Sequence, residues 1–167
     1  MPDCMISAPQ PEAVEAGLEV FKAGGNVMDA AIAAAMVQTV VDPQMCGIAG
    51  FGAMQIMMPE TGVNGFIDFH GRAPLATTAD MWTHLIEREC DDGFGFVLTG
   101  RVNEFGYQSM TSPMTLCAFN HALKQYGTMS LGQGVCSPLT VRKIAAWAQG
   151  RLHSRLHVAS RQACHYG

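Results

Sequence analysis

One segment, residues 17–52, constrains the fold of this chain more than any other. Its sequence is GLEVFKAGGNVMDAAIAAAMVQTVVDPQMCGIAGFG. It predicts the end of one helix, a two-glycine turn, a capped helix that is apolar almost throughout, and a glycine-rich lead into a strand. A helix that is apolar on every side is expected to be buried on every side. We therefore expect this helix at the centre of the fold, with its alanines packed against a sheet.

Local signals mark the boundaries of the first two helices. Pro11 suits the first position of a helix because its missing N–H is not needed there, and Gly24-Gly25 can supply the left-handed residue that ends it. Asn26 then caps the apolar helix, Asp29 complements its N-terminus, and Asp42-Pro43 ends it. In the first helix, apolar residues at helical spacing predict a buried face of Val14, Leu18 and Phe21.

The middle of the chain predicts strands. Residues 53–58 and 63–69 are expected to form a hairpin around the turn PETG at 59–62. Residues 80–89 predict a short helix, and residues 94–99 predict another strand. The chain is therefore expected to mix helices with antiparallel sheet.

After residue 111 the pattern becomes helical again. One helix is expected to begin at Ser112-Pro113 and to end at Gly127, and another is expected over residues 141–149. The buried face of the first of these is predicted to consist of Leu116, Phe119, Leu123 and Tyr126.

The end of the chain differs in character from the rest. At 167 residues the chain has the length of one domain. From Arg151 onward, RLHSRLHVASRQACHYG contains three arginines, three histidines and no acid, and it shows no amphipathic pattern. We expect one domain over residues 1–133 and a doubtful or non-native segment at 134–167. Its end is either a basic tail or a departure from the natural reading frame, and we favour the second.

Composition excludes several classes of partner. The net charge of -4 argues against nucleic acid. Charged residues make up only 14% of the chain, which indicates either that the chain has little surface to cover or that its surface is partly covered by something else. The most apolar run, residues 27–41, contains Asp29 and Gln38 and is shorter than the roughly 18 to 20 residues of a membrane span. The N-terminus lacks the features of a signal peptide. We expect a cytoplasmic protein that binds neither nucleic acid nor membranes.

The sequence shows none of the usual patterns of a metal or cofactor site. The six cysteines lack a C-x-x-C pair, so we expect reduced and mostly buried thiols, with no metal ion and no cofactor. The glycines at 47–52 lead from a helix into a strand, the reverse of a phosphate loop, so chain turning and close packing explain them better. Methionines are interpreted as core filler, among them Met45, Met54, Met57 and Met58.

A set of longer motifs occurs along the chain in a fixed order. They are GLEVFKAGGN, DAAIAAA, DPQMCGIAGFG, IDFHGRAP with ATTADMW, and GYQSMTSPMT followed by ALKQYGTMSL. Together, over about residues 7–131, they resemble the N-terminal part of the large subunit of the gamma-glutamyltranspeptidase family. The resemblance implies an α+β fold, the four-layer αββα sandwich of N-terminal nucleophile hydrolases, here incomplete because the chain is expected to be a fragment.

The resemblance also implies an activity and its partners. Members of this family are made as one precursor that cuts itself into a large and a small subunit. The new N-terminal threonine of the small subunit attacks the gamma-glutamyl amide of glutathione and related compounds, and the acyl group passes to water, an amino acid or a peptide. The implied partners are a gamma-glutamyl small molecule, the remainder of the large subunit and the small subunit. None of the threonines here has the family's processing context, so no catalytic residue is assigned.

The resemblance places substrate-binding residues at the end of the second strand. In the family an arginine there binds the substrate's alpha-carboxylate. Counted back from Ala73-Pro74, the matching position is His70, and an arginine follows at Arg72. Imidazole cannot copy the two-pronged contact of a guanidinium, but alternate strand residues point the same way, so Arg72 can take over the contact. Alternatively, Arg72 pairs with a surface acid and His70 only caps a turn. Asp68 is interpreted as a structural hydrogen-bonding residue rather than an acid–base group, and Met114 stands where the family usually has glycine.

Two functions remain open. The chain is either a fragment of a gamma-glutamyltransferase or hydrolase that supplies the carboxylate side of the substrate site, or a non-catalytic remnant or interaction protein. In both cases the strands at 53–58 and 63–69 are expected to lack neighbours, which predicts aggregation of the isolated chain.

Overall fold

The computed structural model describes residues 4–132 of the 167-residue chain. The segment predicted at 134–167, with its helix at 141–149, lies outside the described residues. The described residues divide into two compact units, the first built on helices and the second on strands.

The first unit contains residues 4–50 and 115–132. Its three helices are α1 (Pro11–Lys22), α2 (Val27–Val41) and α3 (Thr115–Tyr126). Helix α2 ends directly before Asp42-Pro43, as predicted, and it packs against α1 and, to a smaller extent, against α3.

Helix α1 packs against α2 through its smallest side chains. Its buried residues are Ala13, Ala16, Gly17 and Val20. The predicted face of Val14, Leu18 and Phe21 was wrong, since Leu18 is exposed and the other two are half-buried. The reason is the close approach of the two helices: a Cβ on Gly17 would lie 3.1 Å from the carbonyl oxygen of Ala30. Small residues therefore occupy the contact, and the large ones lie at its margin.

The turn between α1 and α2 has the predicted geometry. Gly24 has a φ of +89°, and the N–H groups of Gly24 and Gly25 donate to carbonyls in the last turn of α1. The side chain of Asn26 accepts hydrogen bonds from the N–H groups of Met28 and Asp29. The predicted helix stop and the predicted N-cap are both confirmed.

Helix α2 is buried over much of its surface but not all round. Its buried apolar residues are Met28, Ala30, Ile32, Ala33, Ala34 and Val37. Val27 is 57% exposed and the side chains of the last turn are only half-buried, so the prediction of burial on every side was wrong. Within the described residues only α1 and α3 pack against it among the helices. No helix in residues 4–132 has both the length and the apolar character needed to cross a membrane.

Helix α3 begins later than predicted and ends where predicted. Its first residue is Thr115 rather than Pro113, and it stops before Gly127. Of the predicted face, Phe119 and Leu123 are buried. Leu116 is 43% exposed and Tyr126 is half-buried, so the prediction was wrong for these two. The other buried residues of α3 are small, which again indicates a close helix contact.

The second unit, Phe51–Met114, contains two separate two-stranded antiparallel sheets. Strand β1 (Ala53–Met58) pairs with β2 (Val63–Asp68) in a register that sets Ala53 opposite Asp68. This confirms the predicted hairpin. Less exposed side chains alternate with exposed ones along both strands, and those of the more buried face are Met54, Ile56, Met58, Val63 and Ile67.

Residues 80–89 do not form the predicted helix. After a short turn they continue as β3 (Ile86–Glu89), which pairs with β4 (Phe96–Leu98). The strand predicted at 94–99 is therefore confirmed in shorter form. Two glycines with positive φ, the first of them Gly93, lie in the turn between β3 and β4. They let the chain fold back, and pairing with the neighbouring strand β4 outweighs the local helical pattern.

Cysteines and methionines are more exposed than predicted. The four described cysteines are free thiols. Cys4 and Cys117 are exposed, and Cys46 and Cys90 are half-buried. The expectation of mostly buried thiols was wrong. Met45 lies in the loop after α2 and Met57 on the outer face of β1, and both are exposed, so the core-filler interpretation was wrong for these two.

Candidate functional site

The predicted substrate-binding residues lie just beyond the end of β2. Asp68 is the last residue of this strand, and its Oδ1 accepts two hydrogen bonds from His70. One comes from the backbone N–H at 3.0 Å and the other from ring Nδ1 at 2.8 Å. Asp68 therefore has the structural hydrogen-bonding role predicted for it, since it holds both the backbone and the ring of His70.

This contact decides how the imidazole can interact with a ligand. Because a carboxylate only accepts, Nδ1 of His70 must carry a proton to donate to Asp68. The neutral ring then presents Nε2 as an acceptor, and protonation turns Nε2 into a donor. The side chain of His70 is 62% exposed, so a ligand can reach it.

The glycine-rich segment before β1 also contributes to this site. The ring of Phe51 stacks on His70, with 5.5 Å between ring centroids and 30° between ring planes. The next residue, Gly52, packs against the ring of Phe69, where a Cβ would lie 2.9 Å from two ring carbons. Its carbonyl accepts a hydrogen bond from the N–H of Phe69 at 3.0 Å. The predicted close packing of these glycines is confirmed at Gly52.

Arg72 is positioned by a second chain segment and not by the strand. Since β2 ends at Asp68, the alternation of strand faces does not apply to Arg72. Instead, the N–H of Ser112 donates to the carbonyl of Arg72 at 2.9 Å in an isolated antiparallel bridge. Gly71 lies so close to Thr111 that a Cβ on it would be 2.3 Å from the threonine hydroxyl oxygen. The backbone before and at Arg72 is thus tied to residues 111–112.

The charges of His70 and Arg72 influence the pKa of Asp68, although Arg72 forms no ion pair with it. Hydrogen bonds from the backbone and then the ring of His70 hold the pKa of Asp68 below its ordinary value, and the positive charges of His70 and Arg72 lower this pKa further. The described residues provide no acid within ion-pair distance of the Arg72 guanidinium. The described residues therefore contain no ion pair of the kind that the alternative for Arg72, pairing with a surface acid, requires.

This arrangement suits the binding of an anionic group. Arg72 is exposed and carries a fork of N–H donors that matches the two oxygens of a carboxylate. His70 beside it can add one donor when its ring is protonated. Residues 4–132 contain no group of three or more side chains placed to hold a metal ion.

Several residues of this site carry no clear signal in the sequence. Phe51 contacts His70 across 19 positions, and neither Thr111 nor Ser112 belongs to a periodic pattern that points to Arg72. The contact between Asp68 and His70 is different, because their spacing of two residues allows an aspartate to accept from the backbone N–H that follows. The sequence therefore contains a signal for this contact, although the prediction for Asp68 was only a structural hydrogen-bonding role with no named partner.

A sequence profile of gamma-glutamyltranspeptidase matches residues 13–139, most of the chain. The chain belongs to the gamma-glutamyltranspeptidase family. The resemblance drawn from the motifs is thereby confirmed.

Individual relatives of this gamma-glutamyltranspeptidase family member agree. It is 34% identical over 137 residues to the glutathione hydrolase proenzyme of Pseudomonas sp. (strain A14), and 34% identical over 131 residues to that of Bacillus subtilis (strain 168). It is 33% identical over 129 residues to the acylase ACY 1 proenzyme of Pseudomonas sp. (strain V22). These matches cover 82%, 78% and 77% of this chain but only 22%, 21% and 22% of the relatives. The chain therefore spans about a fifth of their length.

Solved structures support the same assignment. The gamma-glutamyltranspeptidase of Helicobacter pylori matches with a TM-score of 0.64 and 30% identity, over 81% of this chain and 37% of that one. Cephalosporin acylase from Bacillus halodurans matches with a TM-score of 0.64 over 93% of this chain and 31% of that one, and at 24% identity it shows the fold alone. Both are of the N-terminal nucleophile hydrolase type, so the predicted α+β fold class is confirmed.

Proposed function

We propose that this chain supplies the carboxylate-binding side of the substrate site in a gamma-glutamyltransferase or glutathione hydrolase, as part of its large subunit. The observation that carries the proposal is the exposed side chain of Arg72, which has no ion pair in the described residues and follows two residues after His70, whose ring Asp68 orients. Two relatives that bear the name glutathione hydrolase support gamma-glutamyl amides as the substrate class.

The substrate chemistry fits these side chains. A gamma-glutamyl group carries a free alpha-carboxylate, and the guanidinium of Arg72 can donate two parallel hydrogen bonds to its oxygens. His70 lies next to this position and contributes through Nε2, while Asp68 keeps the ring from turning. In this proposal Arg72 and His70 bind the substrate and take no part in bond breaking.

The proposed catalytic group lies outside this chain. The N-terminal threonine of a small subunit attacks the gamma-glutamyl amide and forms an acyl enzyme, which water or an amino acid then resolves. The remainder of the large subunit and the small subunit are the proposed partners. The proposal is supported by the absence of the family's processing context around the threonines of this sequence.

Substitution of Arg72 tests the binding role. We expect Arg72→Gln to weaken binding of a gamma-glutamyl anilide about tenfold to a hundredfold, because hydrogen bonds between charged groups contribute about 1.5–3 kcal/mol. Binding is followed by NMR titration of the amides of residues 68–72 in the full chain. Arg88→Gln is the matched control, since Arg88 is already paired with Asp91 at 2.8 Å in another hairpin. It should leave the affinity unchanged.

Two results would contradict the proposal. If Arg72→Gln and Arg88→Gln weaken binding equally, only the overall charge matters and the site is placed wrongly. If the purified chain itself hydrolyses the anilide, the claim that the nucleophile lies elsewhere is wrong. A chain that neither binds the anilide nor responds to Arg72→Gln would instead fit the alternative of a non-catalytic remnant or interaction protein.

A further inference from the structure

Asp29, the third residue of α2, is a charged side chain in the interior of the first unit. It is only 1% exposed. Its Oδ2 accepts a hydrogen bond from the N–H of Asn26 at 2.9 Å and so completes the cap of its own helix. A buried charge is unfavourable unless hydrogen bonds surround it. The other donors to Asp29 therefore show what else this carboxylate does.

Those donors come from the segment that follows α3, about one hundred residues further along the chain. The N–H of Thr128 lies 3.1 Å from both carboxylate oxygens, and its hydroxyl donates to Oδ2 at 2.6 Å. The N–H of Met129 donates to Oδ1 at 3.1 Å. Asn26 holds the same segment, since its Nδ2 donates to the carbonyl of Tyr126 at 2.7 Å.

The backbone of this segment is shaped to the carboxylate. A Cβ on Gly127 would lie 2.6 Å from Oδ1 of Asp29, closer than such atoms can approach. Residue 127 therefore fits only without a side chain. Asn26, Asp29 and residues 126–129 together are called the latch below.

The negative charge in the latch is held by hydrogen-bond donors alone. Burial by itself would raise the pKa of Asp29, but the hydrogen bonds from Thr128, Asn26 and Met129 outweigh burial and place this pKa below its ordinary value. No cation among the described residues forms an ion pair with Asp29. The titratable side chains of the two helices packed against α2 are Glu12, Glu15, Glu19 and Lys22 on α1, and Cys117, His121, Lys124 and Tyr126 on α3. The two lysines and the histidine among them are the possible cations, and none forms an ion pair with Asp29.

Helix α3 contacts α2 less extensively than α1 does. The contact between α1 and α2 buries a continuous cluster of small residues, namely Ala13, Ala16, Ala34 and Val37. None of these residues depends on the charge of Asp29. The two helices can therefore stay packed when the latch is weakened.

We infer that Asp29 acts as a charge-dependent latch that fastens the segment after α3 to the start of α2, and that neutralising this one carboxylate releases residues 127–129 while α1 and α2 stay together. Three donors of the segment point at the carboxylate. A neutral amide or acid at this position offers fewer acceptor sites and brings a donor of its own against them. Apart from these hydrogen bonds, the side chain of Met129 packs against the cluster of Val20, Ala30 and Ala33. Because this contact involves one half-buried side chain, we expect the segment to open locally without unfolding of the unit once the carboxylate is neutralised.

Amide hydrogen exchange in the full 167-residue chain tests this inference. In Asp29→Asn, we expect the amides of Thr128 and Met129 to exchange about tenfold to a hundredfold faster, while amides in the middle of α2 keep their rates. Asp42→Asn is the matched control, because it removes the same charge at the other end of α2, where the carboxylate accepts a hydrogen bond from Gln10 and none from residues 126–129. Its exchange rates at residues 128 and 129 should equal those of the wild type.

Thr128→Val provides a milder second test. It removes only the hydroxyl donor and should accelerate exchange at residues 128 and 129 by a smaller factor, still selectively. This variant decides the question if Asp29→Asn does not fold. Equal acceleration throughout α1 and α2 would overturn the inference, because Asp29 would then support the whole unit. Unchanged exchange at both amides in the two variants would overturn it as well, because something other than the carboxylate would hold the segment.

Discussion

At the scale of single residues, Asp29 and Asp68 show one side chain in two settings. Asp68 is exposed and uses one oxygen to hold the ring and backbone of His70. Asp29 is buried and uses both oxygens to join two chain segments. In each case the pKa lies below its ordinary value, and in each case hydrogen bonds are what lower it. From the sequence, Asp29 is predicted only to complement the N-terminus of its own helix, and Asp68 only to be a structural hydrogen-bonding residue.

Gly127 provides a residue-scale prediction. An alanine there would bring its Cβ within 2.6 Å of Asp29 Oδ1 and 2.8 Å of the carbonyl oxygen of Leu123. We expect Gly127→Ala to lower the free energy of unfolding by about 1–3 kcal/mol, as measured by urea denaturation. Gly47→Ala is the control, because no atom lies within 4 Å of its added Cβ. It should stay within about 0.5 kcal/mol of the wild type, and an equal loss in both variants would contradict the steric explanation.

At the scale of helices and strands, ends follow local chemistry and faces follow packing. The stop at Gly24, the cap at Asn26 and the β1–β2 hairpin were all predictable, because each depends on a few adjacent residues. The buried face of α1 was not, because the close approach of α2 selects small residues over large ones. The segment 80–89 shows the same limit, since its strand exists only through pairing with β4.

The junction of α2 and α3 predicts a specific response to acid. Because the pKa of Asp29 is lower in the folded than in the unfolded chain, where it is about 3.9, its contribution to stability is complete above that pH. The contribution is lost as the pH falls through the lower, folded-state value. We therefore expect the urea midpoint of the wild type to fall more steeply in acid than that of Asp29→Asn. Parallel acid profiles for the wild type, Asp29→Asn and the control Asp42→Asn would contradict this.

At the scale of the whole molecule, the described residues expose many large apolar side chains. The most exposed of them are Met5, Met45, Leu75, Phe94 and Tyr107. Together with a charged fraction of only 14%, these side chains give the described residues an extensive exposed apolar surface. The two small sheets also leave unpaired strand edges within the described part.

We therefore expect the isolated chain to self-associate. Sedimentation velocity at rising protein concentration should show species larger than a monomer, and Phe94→Ser should reduce them because Phe94 is almost fully exposed in the β3–β4 turn. The exposed polar substitution Thr99→Ser serves as the control and should change nothing. A soluble monomer at all concentrations, with a sharp cooperative melt, would show that the exposed apolar surface is not adhesive.

Taken alone, the order of residues was enough to establish the family, the α+β class, most helix ends and the first hairpin. These features depend on motifs and on backbone preferences that act within a few positions. It also pointed to His70 and Arg72, whose roles as substrate-binding residues stay predictions. Tertiary structure decided the rest: which helix faces are buried, how Phe51 stacks on His70, and how Asp29 binds the segment after α3. The contacts of Phe51 with His70 and of Asp29 with residues 128 and 129 join residues far apart in the chain, so no short sequence pattern predicts them.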